Sequence, residues 1–217
     1  MTMWGIGQWQ DADGERVAWE ISTAEMGRDI GAASAALRAL GVVPGTTSLW
    51  CSMLSEAGQF WPYTVGTMVC GAQLSCADAT NADAARVAMF CRQLAPRAVF
   101  GVNRALLDGL DELGLDLAKV FANVELLAAR PDAVGRLQRV GLSPYHFVLV
   151  GPAVAVGREP GGPAYVDSTE WQCEEDGEHL AVTNLQPRAT EFRRCRSAVR
   201  GRVVNGGVLP ATVEVSP

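Results

Sequence analysis

The chain has 217 residues, a formal charge of −6, 48% apolar and 19% charged residues. That length supports one large self-standing core without disulfide staples. The negative balance disfavours a nucleic-acid partner. The longest apolar stretch, Phe147–Val156, is far below the roughly 20 residues of a membrane span.

Trp4, Ile6 and Trp9 lead to Asp13-Gly14, and Val17, Trp19 and Ile21 then alternate with polar neighbours. This predicts a hairpin. Ser22 followed by Glu25 forms a capping box, and Met26, Ile30, Ala33, Leu37 and Leu40 recur at helical spacing. Gly41 ends that helix and Pro44-Gly45 turns the chain. Thr47–Met53 is an apolar run suited to a buried strand. A helix opens at Ser55-Glu56 and reaches Val69, with Pro62 bending or splitting it. A second strand covers Gln73–Ala77, and Asn81 caps the helix that Pro96 stops. Arg97–Val102 is a third strand, and Asn103 starts the next helix. A short helix at Leu117–Phe121, a strand at Val124–Ala128 and a helix from Pro131 to Val140 follow. Strands alternating with helices predict an α/β fold, a mainly parallel sheet with helices on both faces.

The pattern changes after the apolar strand His146–Val150. Gly151-Pro152, Gly157 and Pro160-Gly161-Gly162-Pro163 punctuate the chain. Short strands are predicted around Tyr165, Val166, Trp171, His179–Val182 and Val203–Val215. The expected organisation is an α/β subdomain over 1–150 and a small β-rich C-terminal subdomain over 151–217, docked on the first.

The start, Met1-Thr2-Met3-Trp4, has no basic leader, and a cytoplasmic location is expected. Six cysteines, at 51, 70, 76, 91, 173 and 195, form no Cys-x-x-Cys pair, and His146 and His179 are the imidazoles. They predict reduced, mostly buried thiols and no metal site. Cys173 and His179 are separated by the acids of a predicted turn, so a charged hairpin tip outweighs a thiol/imidazole pair. The arginines at 188, 193, 194, 196, 200 and 202 are set against acids at 174, 175, 176, 178 and 191. Ion pairing is favoured over anion binding for that group.

Two blocks carry a family resemblance. In the first, a helix ends in Leu40-Gly41-Val42-Val43-Pro44-Gly45-Thr46, a strand follows, the next helix carries Ser55-Glu56, and Gly71-Ala72 precedes the next strand. The second runs from Gly177-Glu178 through Val182-Thr183-Asn184-Leu185 to Arg194-Cys195-Arg196-Ser197-Ala198-Val199. In this order the blocks resemble the adenylate-forming superfamily of acyl/aryl-CoA synthetases and adenylation domains, shortened and degenerate. Residues 80 to 150 match either α/β subdomain of that family.

The resemblance also marks departures. Thr46 replaces the aspartate of the first block. Val199 stands where the family places the aspartate that binds the ribose hydroxyls of ATP, and Ala198 replaces the turn glycine. The glycine-rich phosphate loop and the lysine-bearing C-terminal lid are missing, and Lys119 is the single lysine. Amides converging on phosphate oxygens need those glycines. Lid lysines act on the developing charge of the reaction. The resemblance thus implies an adenylation-incompetent protein that needs no cofactor. It binds a hydrophobic small molecule or a partner protein, with self-association open. The alternative is an ATP-independent cyclase, isomerase or hydrolase reusing the substrate pocket, where orientation accelerates the step. The candidate ligand-binding residues are Phe60, Trp61, Tyr63 and Arg194, and the candidate catalytic base is His146. They are expected around a crevice at the carboxyl ends of the parallel strands. Ser168-Thr169-Glu170 resembles the family's metal-binding Ser-Thr-Glu but falls in the β-rich tail, where coincidence outweighs function.

Overall fold

The computed structural model of the chain describes residues 2–211. It opens with the antiparallel hairpin β1 (Met3–Gln10) and β2 (Arg16–Ser22). Asp11 tightens the turn by accepting the amides of Asp13 and Glu15, and Gly14 supplies the left-handed backbone at φ 87°. Helix α1 (Thr23–Ala39) starts on the predicted capping box: the Ser22 hydroxyl accepts from the Glu25 amide, and the Glu25 carboxylate accepts from the Ser22 amide.

The α/β part then runs β3 (Thr47–Ser52), α2 (Ala57–Val69), β4 (Gln73–Asp78), α3 (Ala84–Leu94), β5 (Ala98–Val102), α4 (Arg104–Glu112), α5 (Leu117–Val120), β6 (Leu126–Ala129), α6 (Pro131–Arg139) and β7 (Tyr145–Val150). The tail comprises β8 (Ala153–Gly157), β9 (Ala164–Tyr165), β10 (Trp171–Asp176), β11 (His179–Asn184), β12 (Cys195–Val204) and β13 (Gly207–Pro210). Pro62 sits inside α2 without splitting it. The predicted strand over Val203–Val215 becomes the end of β12 and β13, and its last residues lie outside the described ones.

Both parts share one 11-stranded sheet in the order β10-β11-β12-β13-β9-β8-β7-β6-β5-β3-β4. Ladders from β4 to β7 are parallel, and those from β7 to β10 are antiparallel. The change falls at the β7–β8 hairpin, where Gly151-Pro152 turns the chain, and the sheet runs on through it.

The inner parallel strands β3, β5 and β6 are buried on both faces, which is why they read as apolar runs without alternation. Leu49, Cys51, Val99 and Leu127 face the core built by α3 to α6. Trp50, Phe100 and Ala128 face the opposite core with Leu37 of α1 and Cys70 at the end of α2. Trp50 is fully buried, stacks on Phe100 at 4.3 Å, and donates its indole N–H to the Thr67 hydroxyl at 3.0 Å. Of the cysteines, Cys51, Cys70 and Cys91 are buried, Cys173 and Cys195 are half-buried, and Cys76 is exposed. All six are free.

A third core joins the hairpin to the tail: Trp9, Trp19 and Ile21 pack with Trp171, Leu180, Phe192 and Val208. The hairpin also lies on α2. A side chain at Gly58 would meet the Trp19 ring at 2.9 Å and the Gly7 Cα at 3.0 Å, so only glycine permits this approach. At its tip Asp11 bridges to Ser197 of β12. The hairpin therefore spans from α2 to the tail. No helix among the described residues is long and apolar enough to cross a membrane.

Candidate functional site

Parallel strands end in loops that open a crevice, and three such ends meet here. After β3 the chain makes one 3-10 turn that presents Glu56, whose carboxylate accepts from the Met53 amide at 3.4 Å. After β5, Asn103 caps α4 by accepting the Leu106 amide at 2.9 Å and donates to the Ala79 carbonyl at 2.8 Å. Gly101 bulges β5 just before this point. Its φ is 81°, and a Cβ there would collide with the Cys51 carbonyl oxygen. After β6 come Arg130 and then Pro131, the first residue of α6, which places Asp132 in the first turn.

These loop residues form one side of a crevice of about 930 Å³. Gln8, Trp9, Gln10 and Arg16 of the hairpin form the second side, and Ala198, Val199 and Arg200 of β12 the third. Gln59 of α2 joins the walls, donating its amide N–H groups to the carbonyls of Gln8 (2.9 Å) and Gly151 (3.2 Å).

Arg130 and Glu56 form a two-pronged ion pair, 2.7 Å from Nη2 to Oε2 and 3.4 Å from Nη1 to Oε1. It crosses over the end of β5, and the guanidinium lies 5.3 Å from the Phe147 ring centre. Burial pushes the Asp132 carboxyl above its ordinary pKa, opposed by the Arg104 backbone amide and the Arg130 charge. Among the described residues six buried side-chain polar atoms have no hydrogen-bond partner, and four of them sit on residues that line this crevice: Trp9 Nε1, Gln59 Oε1, Arg130 Nε and Asp132 Oδ1. Each such atom costs roughly 1–3 kcal/mol, so their concentration at one place demands a reason.

None of the five residues singled out in the sequence lines this crevice. His146 is buried in β7, with Nδ1 3.0 Å from the Gly162 carbonyl, and burial lowers its pKa despite that contact. Phe60 is buried in α2, whereas Trp61 is 43% exposed and pairs with Trp4 at 6.3 Å. Successive helix residues point about 100° apart, so those two cannot form one wall. Tyr63 packs against Trp50 and Phe147, and burial raises the pKa of its hydroxyl. Arg194, at φ 49°, is exposed and pairs with Glu174 (3.4 Å) and Asp176 (3.6 Å). The expected location is occupied by a cavity, but by other residues. Glu56, Asn103 and Arg130 each follow a strand end, which is the sequence signal that finds them.

Ser168-Thr169-Glu170 serves the scaffold. Glu170 pairs with Arg28 and Arg188, each at 2.8 Å, and Arg188 also grips Asp29 at 2.7 Å while lying 4.2 Å from the Trp171 ring centre. Cys173 and His179 belong to the β10–β11 hairpin, Cys173 opposite Val182 and His179 opposite Asp176. The His179 ring sits on the Ser197 carbonyl at 3.0 Å.

No family model matches the sequence, and no curated protein matches it. Solved structures do. An open conformation of 2-hydroxyisobutyryl-CoA ligase, in complex with 2-HIB-AMP and CoA, superposes with a TM-score of 0.69 at 14% identity, over 96% of this chain and 55% of the ligase. The chain has the fold of the adenylate-forming ligases. The N-terminal subdomain of Klebsiella oxytoca NpsA, in complex with 3-hydroxyanthranilyl-AMSN, gives 0.65 at 14% identity, covering 95% of this chain and 61% of that one. The Bacillus subtilis o-succinylbenzoate-CoA synthetase MenE gives 0.63 at 12%, covering 95% and 48%. Each match takes in nearly all of this chain but spans only 48–61% of the other. Likeness of this degree establishes the fold, and the function rests on the site.

Proposed function

We propose that the chain is an adenylation-incompetent protein with the adenylate-forming fold, whose crevice binds a small molecule with an apolar body and a polar head. The four unpartnered polar atoms around one cavity carry this reading. A preformed pocket with a few converging polar groups is what small-molecule binding needs. Ten of the seventeen lining residues are polar or charged, which favours adding a polar head to the hydrophobic small molecule expected from sequence. Trp9, Leu149 and Val199 supply surface for the apolar body.

Loss of adenylation is supported at the same place. Val199 lines the crevice and has no acceptor for ribose hydroxyls, and the Arg130–Glu56 pair bridges the loops after β3 and β6. Lys119 is 84% exposed on α5 beside Asp116. The expected result is no pyrophosphate exchange into ATP above a no-protein control with any fatty or aromatic acid. Native mass spectrometry of gently purified protein should meanwhile find a bound small molecule. Exchange above the control overturns the loss of adenylation. A bare protein that responds to no small molecule overturns the binding role.

Asp132 supports a second reading, ATP-independent chemistry in the same crevice. A carboxyl raised by burial, with one oxygen free, is suited to move a proton. On that reading Asp132→Asn abolishes turnover of the bound molecule while leaving its binding within a few-fold, and unchanged turnover ends the idea.

A further inference from the structure

The unpartnered atoms also define the polar head, an inference that rests on the proposed binding role. Gln59 is 2% exposed, and both carbonyls it touches are contacted by its Nε2. Turning the amide over would set its oxygen against those two carbonyl oxygens, so Oε1 is fixed as an acceptor. Trp9 Nε1 can only donate. Arg130 Nε can only donate as well, and the ends of that guanidinium are already held by Glu56. Asp132 Oδ1 adds a second acceptor. The four atoms sit on residues that line one cavity and are closed to water as the chain stands, so on this reading binding turns those side chains toward the ligand.

The ligand must therefore supply both kinds of group. A carboxylate or phosphate brings acceptors alone and sets its charge against Asp132 and Gln59 Oε1, while Glu56 already offsets Arg130. An ester or ketone satisfies a donor and leaves both oxygens unmet. An apolar molecule meets none of them. A primary carboxamide offers a carbonyl to Trp9 or Arg130 and two N–H groups to Gln59 and Asp132. We infer that the crevice recognises a neutral aromatic carboxamide, with its ring against Trp9, Leu149 and Val199 and its amide between Gln59 and Arg130, and that Gln59 sets this specificity. Sites built to hydrogen-bond a polar group reject analogues lacking it, because their own buried groups stay unpaired.

The test uses the full chain and three probes of one shape, benzamide, benzoate and methyl benzoate, followed by saturation-transfer NMR and calorimetric titration at pH 7.5. Benzamide should bind at least about tenfold tighter than either other probe, the effect of one unmet hydrogen bond. Gln59→Leu should level the three. That variant also loses the contacts to Gln8 and Gly151, so Asp132→Asn provides a second arm that spares them. By removing a charge it should narrow the gap between benzamide and benzoate and leave methyl benzoate unchanged. Equal affinities in the native chain, or a preference for benzoate, overturn the inference. So does silence of all three probes, and a different small molecule found bound by native mass spectrometry would then leave the binding role standing while the carboxamide assignment falls.

Discussion

Two half-buried arginines organise this chain, and their surroundings differ. Arg188, with its side chain 3% exposed, holds Asp29 and Glu170, lies on Trp171, and ties α1 to the tail. Glu170 in turn holds Arg28, and Glu25 accepts the Ala189 amide at 3.0 Å. Apart from its own Nε, this cluster is paired throughout. Arg130, 12% exposed, has one partner, Glu56, and stands among three further unpartnered groups beside open space. A paired network fixes one conformation. An unpaired one beside a cavity is held in readiness, and the contrast separates scaffold from site when charge and burial alone would not.

The comparison can be broken by experiment. Arg188→Met strands Asp29, leaves Glu170 with Arg28 alone, and should cost about 3–5 kcal/mol, the range for removing one member of a buried pair. Urea unfolding measures it, and a loss under about 1 kcal/mol would deny the cluster its clamping role. Arg130→Met should cost less, about 1–2 kcal/mol, because Glu56 is 27% exposed and water can take over. Equal losses at the two sites would erase the distinction.

Asp132→Asn should go the other way. Its folded-state pKa is raised, so the folded chain holds the proton more tightly than the unfolded one. Stability falls as pH climbs from the unfolded value toward the folded one, and the full penalty is present above both. The variant should gain about 1 kcal/mol at pH 7, or about 2–4 °C in Tm, and the gain should vanish in acid. A destabilised variant at pH 7 would mean that Oδ1 has a partner after all.

The smallest effect concerns His146, whose folded-state pKa lies below the ordinary value of 6.5. Below pH 6.5 the unfolded chain takes up the proton first, so stability drops with falling pH until the folded value is passed. His146→Gln should remove this drop. Melting curves of the two proteins should run parallel above pH 7 and diverge by about 2 °C or less below 6.5. Loss of binding by this variant would return His146 to the site.

Much of the fold was legible because its signals are local. Ser22 with Glu25, Asn103, Asp13-Gly14 and Pro131 each mark an end through a side chain and its own neighbouring backbone. The continuity of the sheet through Gly151-Pro152 was not legible, since strand pairing depends on residues far apart in sequence. The crevice was illegible for a related reason. Phe60, Trp61 and Tyr63 are adjacent and invited grouping, yet the helix sends them to different places. Gln8, Gln59, Asn103, Asp132 and Val199 come from five segments, and only the β5 bulge, the bare backbone at Gly58 and the hairpin's reach to β12 bring them together.

The hairpin carries a consequence for synthesis. Trp9 and Trp19 leave the ribosome well before their packing partners Trp171, Leu180, Phe192 and Val208. Synthesis at about 5–20 residues per second separates the two by many seconds, during which α1 and α2 can cover the hairpin but its face toward the tail stays open. The parallel strands and their helices can assemble in the meantime from nearer contacts. The third side of the crevice closes last, so a nascent chain has a crevice open to the cell before it has a finished one.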